Sequence, residues 1–377
     1  MALSPKLFYE AINSKGISFF TGVPDSLLKE FCLCIDDNVS EKNHVITANE
    51  GNSIALAAGY NIATNSVPLV YMQNSGLGNA VNPLLSLCDS AVYSIPMIIM
   101  IGWRGEPGVK DEPQHITQGK IQLDFLKSMG LKSFLISGNT NNYSEIISNA
   151  TQEAISNKNP VVLLIKKGTF ESYKPKFVKK NLSSMEREIT LNSILNNAEK
   201  DSVIISTTGK TSREIFEIRE NKNQPHNQDF LTVGSMGHSS SIALGIAIAK
   251  PKIQVTCIDG DGSLIMHMGS LSTIGKILPE NYFHIVLNNN VHESVGGQKT
   301  SAENIDFKIL AKSNGYKYSD SITFSDIVSD KIKNFYLNKG PAFLEIKLKP
   351  GSRENLGRPT ISPVDSKIDL MKFINEK

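Results

Sequence analysis

The chain has 377 residues, with 39 basic and 37 acidic side chains and a formal net charge of +2. A hydrophobic fraction of 40% and a charged fraction of 20% are typical of a globular protein, and the length suits two domains. The balanced charge gives no support to nucleic-acid binding, and no apolar run approaches the roughly 20 residues that span a bilayer.

Helix-like and strand-like stretches alternate through the first half of the chain. Near-continuous apolar strands, such as residues 68–72 and 161–165, indicate burial on both faces, as in a parallel sheet. The predicted helices are 5–15, 26–34, 52–63 and 80–86, and the predicted strands are 18–23, 44–48, 67–73, 97–102 and 161–166.

The alternation stops after residue 166 and then resumes in the second half. Residues 171–187 are rich in lysine and serine and have little periodicity, so we interpret them as an interdomain linker. Beyond it, the predicted helices are 188–198, 212–221, 240–249 and 269–277, and the predicted strands are 203–206, 254–258, 283–287 and 342–347.

This alternation predicts an α/β protein with two doubly wound parallel-sheet domains. We place the domains at residues 1–170 and 188–377, on either side of the linker. The four cysteines, Cys32, Cys34, Cys88 and Cys257, match neither a zinc-binding nor a disulfide pattern, and the N-terminal residues do not have the pattern of a signal peptide. We therefore expect a cytoplasmic protein that binds neither nucleic acid nor membrane.

Polar residues follow two apolar strands in the second half. Asp261 lies between two glycines, Gly260 and Gly262, after the first strand, and Asn289 follows the second. Parallel strands joined by a helical crossover bring these ends to one edge of a sheet, where ligands of α/β proteins bind. Carboxylate and amide oxygens suit Mg2+, and glycines allow close approach of phosphate oxygens, to which Ser263 can donate. The pattern predicts a diphosphate held through a metal, although each motif alone would commonly be a turn.

The segment from Asp259 to Asn290 resembles the GDG-x(about 25)-NN motif of thiamine-diphosphate enzymes. The resemblance implies that thiamine diphosphate and Mg2+ are the cofactors, with Asp261, the Asn289 side chain and the Val291 carbonyl as metal ligands. Gly260, Gly262, Ser263 and Leu264 would contact the diphosphate. By the same resemblance, the first domain binds the pyrimidine and the second the diphosphate.

A glutamate in the first half matches the activating position of these enzymes. Glu50 follows the predicted strand 44–48 and opens a helix of small residues, similar to the N-E-G-x(5)-A-A-G-Y stretch of thiamine-diphosphate decarboxylases. Its carboxyl would hydrogen-bond the pyrimidine N1' and so assist deprotonation of the cofactor. A glutamate at a helix start is otherwise commonly a dipole partner.

A glycine-rich stretch in the second half resembles the loop that supports the bent cofactor. On this match Met236 would lie beneath the cofactor and the Gly234 carbonyl would accept a hydrogen bond from it. The family also builds each active site from two subunits. The resemblance therefore implies a homo-oligomer, at least a dimer, with active sites at the subunit interface.

The two-domain plan and several longer stretches resemble the phosphonopyruvate and sulfopyruvate decarboxylases. These stretches include 21–26, 73–83, 103–105, 111–115, 294–298 and 351–359. A small anionic 2-oxo acid, with phosphonopyruvate first, is the expected substrate, and decarboxylation without oxidation is the expected reaction. Proton-handling candidates are Asp25, His115 and His292, and candidates for pairing with a phosphonate are Arg104, Lys110, Lys299, Arg353 and Arg358.

Three other interpretations remain open from the sequence. Gly209-Lys210-Thr211 after a strand hints at a nucleotide phosphate loop, but Ile204 occupies the position of the required earlier glycine. Sulfopyruvate or another 3-substituted pyruvate could replace phosphonopyruvate as substrate. A non-catalytic scaffold subunit with the same fold is the third, and the retained Glu50, Asp261 and Asn289 argue against it.

Overall fold

The computed structural model describes residues 2–176, 185–323 and 328–377. The chain divides into two compact units, the first formed by Met1–Lys179 with Ser294–Lys299, and the second by Lys180–Glu293 with Thr300–Lys377. Within the described residues no helix combines the length and the apolar character that crossing a membrane requires.

The first unit contains a six-stranded parallel sheet in the order β2-β1-β3-β4-β6-β5. Its strands are β1 (Phe20–Gly22), β2 (His44–Ile46), β3 (Leu69–Gln73), β4 (Ile98–Gly102), β5 (Lys132–Ile136) and β6 (Val161–Ile165). Its helices are α1 (Pro5–Asn13), α2 (Lys29–Asn38), α3 (Glu50–Thr64), α4 (Leu77–Pro83), α5 (Pro113–Ser128) and α6 (Tyr143–Asn157).

Both faces of this sheet are covered, which explains its uniformly apolar strands. On β3, Leu69 and Tyr71 belong to one hydrophobic cluster, with Phe8 and Phe31, while Val70 and Met72 belong to another. Successive side chains of a strand point to opposite faces, so a strand between two helical layers must be apolar at every position. All five residues of β4 and of β6 are buried.

The second unit contains another six-stranded parallel sheet, in the order β8-β7-β9-β10-β12-β11. Its strands are β7 (Val203–Ser206), β8 (Asp229–Leu231), β9 (Val255–Gly260), β10 (Tyr282–Asn288), β11 (Tyr318–Ile322) and β12 (Ala342–Lys347). Its helices are α7 (Arg187–Asn197), α8 (Lys210–Asn221), α9 (Ser239–Ala249), α10 (Asp261–Met266), α11 (Ser270–Ile277), α12 (Phe307–Ser313), α13 (Val328–Tyr336) and α14 (Pro363–Asn375).

The faces of this second sheet differ in polarity. Phe283, Ile285 and Leu287 of β10 contribute to an apolar cluster on one face. On the other face His284 is fully buried, with its Nδ1 3.1 Å from the Tyr316 hydroxyl and its Nε2 3.7 Å from Asp259 Oδ2. This sheet therefore contains a polar core on one side, which an apolar pattern alone does not reveal.

Numbered within their own unit, the strands of both sheets have the same order, 2-1-3-4-6-5. The order reverses between the first and third strands, and ligands of such folds bind outside the carboxyl ends of the strands at that reversal. The predicted fold class, two doubly wound parallel sheets, is confirmed. The loops after β1 and β3, and after β7 and β9, are the places where a site is expected.

The expected linker contacts the first unit at its start. The Tyr173 backbone N–H donates to Glu30 at 2.7 Å and that of Lys176 donates to Asp37 at 2.8 Å, so residues 171–176 lie along α2. Helix α7 already begins at Arg187, the last residue of the expected linker. Residues 177–184 of the expected linker lie outside the described residues.

Candidate functional site

In the first unit Glu50 is a buried carboxylic acid at the start of α3. The Asn49 side chain caps this helix by accepting from the Asn52 backbone N–H, which turns the chain after β2 and places Glu50 in the first turn. Only 5% of Glu50 is exposed, and the Asn79 amide donates to its Oε2 at 2.8 Å. Burial raises the pKa of Glu50, and the Asn79 hydrogen bond opposes part of that rise.

A short turn after β3 makes room for this carboxyl. A Cβ atom on Gly76 would lie 2.1 Å from Glu50 Oε1, so a side chain at this position would displace the carboxyl. In the same turn the Asn74 side chain donates to the Arg104 backbone carbonyl at 2.8 Å. The turn Asn74–Gly76 therefore joins Glu50 to the residues that follow β4.

Asp25 is a second buried carboxyl at the same edge of the sheet. It lies just after β1, is fully buried, and accepts from the Gln73 amide at 2.6 Å and from the Leu27 backbone N–H at 3.1 Å. Burial raises its pKa, while the Gln73 hydrogen bond and the nearby Arg104 charge oppose the rise. The structure thus places the predicted Asp25 at the carboxyl end of the first strand, near the order reversal.

Arg104 and His115 complete this group. Arg104 follows β4 and is held by Asp111 through two guanidinium nitrogens, while its Nη1 donates to Ser26 at 2.7 Å. His115 is buried in the first turn of α5, and burial, with the charge of Arg104, lowers its pKa to about 4. Three predicted residues, Asp25, Arg104 and His115, therefore lie in one electrostatically coupled group.

In the second unit Asp261 and Asn289 meet as the sequence pattern predicts. Asp261 begins α10 directly after β9 and is 3% exposed, and Asn289 follows β10. The Asn289 backbone N–H and the Thr300 hydroxyl, at 2.5 Å, donate to the Asp261 carboxyl. Burial raises the pKa of Asp261 to about 6, against the effect of these hydrogen bonds.

This arrangement fits a metal that prefers oxygen ligands. Among the described residues no lysine or arginine forms an ion pair with Asp261, so the buried carboxylate has no side-chain cation to balance it. Its neighbour Asn289 adds an amide oxygen, which accepts from the Val291 backbone N–H at 3.1 Å. A divalent cation such as Mg2+ would supply the missing positive charge.

The predicted diphosphate residues are tied to the predicted cofactor-supporting turn. Ser263 Oγ accepts from the Gly237 backbone N–H at 3.0 Å and from the Thr207 hydroxyl at 2.9 Å. Gly234 and Met236 lie in this turn and are partly exposed, while Leu264 is buried. Thr207, after β7, was not predicted, and the signal that could have found it is its position at the end of an apolar strand before Gly209.

His292 packs against the glycine that follows Asp261. A Cβ atom on Gly262 would lie 2.9 Å from His292 Cε1 and 3.2 Å from the Thr300 methyl, so the imidazole occupies the space that glycine leaves open. Withdrawal from water lowers the pKa of His292 to about 4. A side chain at position 262 would therefore have to displace the His292 imidazole, so packing favours glycine here, in addition to any role it has toward a phosphate.

The other basic candidates are less suited to pair with a substrate. Lys110, Lys299 and Arg358 are exposed. Arg353 donates to Glu188 at 2.9 Å and pairs with Glu217. Lys210, in the phosphate-loop-like stretch, begins α8 and pairs with Glu293 at 2.9 Å.

Comparison with known proteins identifies the class of enzyme. The family model "Thiamine pyrophosphate enzyme, N-terminal TPP binding domain" matches residues 5–128, and "Thiamine pyrophosphate enzyme, C-terminal TPP binding domain" matches residues 207–346. The two matches cover the buried Glu50 in the first unit and the Asp261–Asn289 pair in the second. Thiamine diphosphate is therefore the cofactor that the fold and the family define.

Curated relatives narrow the class further. The chain is 32% identical to a phosphonopyruvate decarboxylase of Streptomyces viridochromogenes, over 94% of this chain and 90% of the relative. It is 30% identical to a phosphonopyruvate decarboxylase of Streptomyces hygroscopicus, over 97% and 92%. A sulfopyruvate decarboxylase of Methanosarcina acetivorans is 27% identical over 97% of both chains. The chain belongs to the phosphonopyruvate decarboxylase family of thiamine pyrophosphate enzymes.

Proposed function

We propose that this protein is a thiamine-diphosphate- and Mg2+-dependent carboxy-lyase that converts 3-phosphonopyruvate to phosphonoacetaldehyde and CO2. The observation that carries the proposal is the near-full-length similarity to two phosphonopyruvate decarboxylases, at 32% and 30% identity. The buried Glu50 and the Asp261–Asn289 pair support it independently, because they have the chemistry that this cofactor requires.

The second unit would hold the diphosphate through the metal. Asp261 and Asn289 offer oxygen ligands from neighbouring strand ends, and the Val291 carbonyl would be the third protein ligand. Gly260 and Gly262 would allow the phosphates to approach the backbone closely. Ser263 is held at the start of α10 by hydrogen bonds from Gly237 and Thr207. The cofactor-binding residues in this proposal are Gly234, Met236, Gly260, Gly262, Ser263 and Leu264.

Glu50 would activate the cofactor. Bound thiamine diphosphate supplies a carbon nucleophile and takes up the electron pair of the breaking carbon–carbon bond. Burial raises the pKa of Glu50, which favours a protonated carboxyl that can donate to the pyrimidine N1'. The Asn79 hydrogen bond orients the carboxyl through Oε2, and the absence of a side chain at Gly76 leaves room for Oε1.

Proton transfer to the product would use the group of side chains formed by Asp25, Arg104 and His115. Loss of CO2 leaves a carbon that must gain a proton before the aldehyde is released. Asp25 has a raised pKa, which suits a proton donor, and His115, with a pKa of about 4, is neutral at pH 7 and can accept. His292, packed against Gly262, is a further candidate from the second unit.

The phosphonate needs a positive partner near these groups. Arg104 is the candidate that lies beside Asp25 and His115, although Asp111 neutralises much of its charge. Lys110 and Lys299, which are exposed, stay further candidates from the sequence. Arg353 and Arg358 stay candidates from the sequence alone.

Sulfopyruvate is the second candidate substrate. The observation that favours it is the match, over 97% of both chains, to a sulfopyruvate decarboxylase. A sulfonate has one negative charge fewer than a fully ionised phosphonate at the same position, so both would use the same basic residues. A scaffold role without turnover is the third candidate, and the buried Glu50 argues against it.

The test is CO2 release by protein loaded with thiamine diphosphate and Mg2+, offered phosphonopyruvate, sulfopyruvate and pyruvate in turn. Phosphonopyruvate is expected to give the highest kcat/KM. A higher kcat/KM for sulfopyruvate would identify sulfopyruvate as the substrate instead. No turnover with any of the three compounds, despite bound cofactor, would support the scaffold role. Glu50→Gln should bind the cofactor and lose turnover, while Glu41→Gln, an exposed control, should behave as wild type.

We also infer a homo-oligomer in which each active site takes Glu50 from one subunit and Asp261 from another. Mixing equal amounts of inactive Glu50→Gln and Asp261→Asn proteins tests this. A hybrid dimer would have one intact site of two, and random exchange makes about half of the dimers hybrid, so the mixture should give about a quarter of wild-type activity. No recovery after subunit exchange would contradict it. A cytoplasmic location is part of the proposal, and the four free, buried cysteines favour it.

A further inference from the structure

A partly buried carboxylate, Glu293, contacts the amide of Asn289. Glu293 Oε2 accepts from Asn289 Nδ2 at 2.9 Å and from Arg187 Nη1 at 2.6 Å. Its other oxygen, Oε1, accepts from Lys210 Nζ at 2.9 Å. Both oxygens of this side chain are therefore fixed by donors from α7, α8 and the loop after β10.

Arg187 is itself held rigidly. Its Nε and Nη2 donate to both oxygens of Glu214, at 2.7 Å and 2.8 Å, and the two side chains are only 6% and 1% exposed. A bidentate pair of this kind resists rotation, and removal from water strengthens it. We call Arg187, Lys210, Glu214 and Glu293 the ion network.

The ion network determines which way the Asn289 amide faces. A carboxylate can only accept hydrogen bonds, so the atom of Asn289 that faces Glu293 must be the amide nitrogen. The amide oxygen is then turned the opposite way, where the Val291 backbone N–H also contacts it at 3.1 Å. A rotated amide would place two oxygens against each other and leave a donor unpaired.

We propose that Glu293 is a positioning residue for the metal: it fixes the Asn289 amide so that its oxygen is presented for coordination, and Arg187 and Lys210 fix Glu293. This inference rests on the proposed role of Asn289 as a metal ligand. It extends that role to a carboxylate that acts through the Asn289 amide. Through Lys210 it also joins the loop after β7 to the loop after β10.

The test measures metal affinity rather than turnover. Holoenzyme is stripped of metal with a chelator and titrated with Mn2+ in saturating thiamine diphosphate, with free Mn2+ followed by electron paramagnetic resonance. Glu293→Ala should weaken Mn2+ binding about 10- to 100-fold, the usual effect of losing a group that orients a ligand. Glu293→Gln keeps the size and an acceptor, so it should lose less affinity, and it replaces the alanine variant if that does not fold.

A matched control separates this effect from general loss of a buried ion pair. Arg219 donates to both oxygens of Asp229, at 3.0 Å and 2.9 Å, and these side chains are 9% and 1% exposed, much like Arg187 and Glu214. Both pairs include a residue of α8, but among the described residues neither Arg219 nor Asp229 hydrogen-bonds the Asn289 loop. Asp229→Asn should lower the melting temperature and leave the Mn2+ dissociation constant within about two-fold of wild type.

A double-mutant comparison decides the outcome. In an Asn289→Ala background, Glu293→Ala should weaken Mn2+ binding no further, because the amide it orients is gone. The proposal is overturned if Glu293→Ala and Glu293→Gln bind Mn2+ as wild type does, or if the two losses simply add. If Asn289→Ala alone leaves Mn2+ affinity unchanged, the metal site itself is refuted, and the role of Glu293 with it.

Discussion

Gly76 offers a direct test of whether the position of the Glu50 carboxyl matters. Its backbone, at φ −73° and ψ −16°, suits any L-residue, so Gly76→Ala introduces steric crowding without backbone strain. The new Cβ would lie 2.1 Å from Glu50 Oε1, 2.4 Å from Cδ and 2.6 Å from Cγ. Ordinary contact needs about 3.5 Å, so the carboxyl must move by about 1 Å.

A displacement of this size has a predictable kinetic cost. A shift of about 1 Å in a catalytic group can cost about 100-fold in rate, which corresponds to about 2.7 kcal/mol in the activation free energy. We therefore expect kcat for CO2 release to fall about 100-fold in Gly76→Ala, with thiamine diphosphate still bound. Steady-state kinetics and calorimetric titration of the cofactor measure the two quantities separately.

Gly78 is the matched control for this substitution. It lies two residues further on, in α4, and a Cβ there would meet nothing within 4 Å. Gly78→Ala should keep full activity and raise the free energy of unfolding by up to about 1 kcal/mol, because alanine favours a helix. If Gly76→Ala retained kcat within about three-fold of wild type while folding normally, the reasoning about Glu50 would be wrong.

Three further predictions concern pH, packing and metal. His115 has a folded pKa of about 4 against an ordinary 6.5, so the unfolded chain binds more protons between these values and stability rises with pH through that window. In His115→Gln, the rise in the free energy of unfolding between pH 4 and 6.5, measured with urea, should be smaller by on the order of 3 kcal/mol. An unchanged pH profile would contradict the burial of His115. Gly262→Ala should weaken thiamine diphosphate binding about 10-fold, because the new methyl group would displace the His292 imidazole. Gly269→Ala is the control, since a Cβ there meets no atom within 4 Å, and it should leave the affinity unchanged. Equal affinities of the two variants in calorimetric titration would contradict the proposed packing of His292 against Gly262. Asp261→Asn should weaken Mg2+ binding at least about 10-fold, and chelation of the wild type should release the cofactor on gel filtration; retention of both would argue for a different metal site.

The elements that the sequence predicted well are those with an unambiguous apolar pattern. Strands β7 and β12 have the predicted bounds, 203–206 and 342–347, because each is a buried run between polar loops. Strand β5, Lys132–Ile136, was missed because it is an edge strand with exposed positions and no continuous apolar run. Helices α5 and α6 were missed as well, since their apolar positions are dispersed among polar ones.

In the candidate site, the sequence reveals residues that lie within a local motif, but not residues that come together only in the folded chain. Glu50 and Asp261 could be found because their immediate neighbours in sequence form recognisable motifs. Gly76, which makes room for Glu50, lies 26 residues away, and only the fold brings the two together. Asp259 and Asp261 are two residues apart, yet the first faces His284 in the core and the second faces Asn289. No spacing rule distinguishes such neighbours without knowing where the strand ends.

The repeated strand order has a consequence for how this protein could be encoded. Every strand of the first sheet comes from residues 20–165 and every strand of the second from residues 203–347, so neither sheet takes a strand from the other's stretch of chain. A break in the peptide backbone within 177–184 would leave each sheet with its complete set of strands. Two shorter polypeptides, made separately, would then each contain all six strands of one sheet.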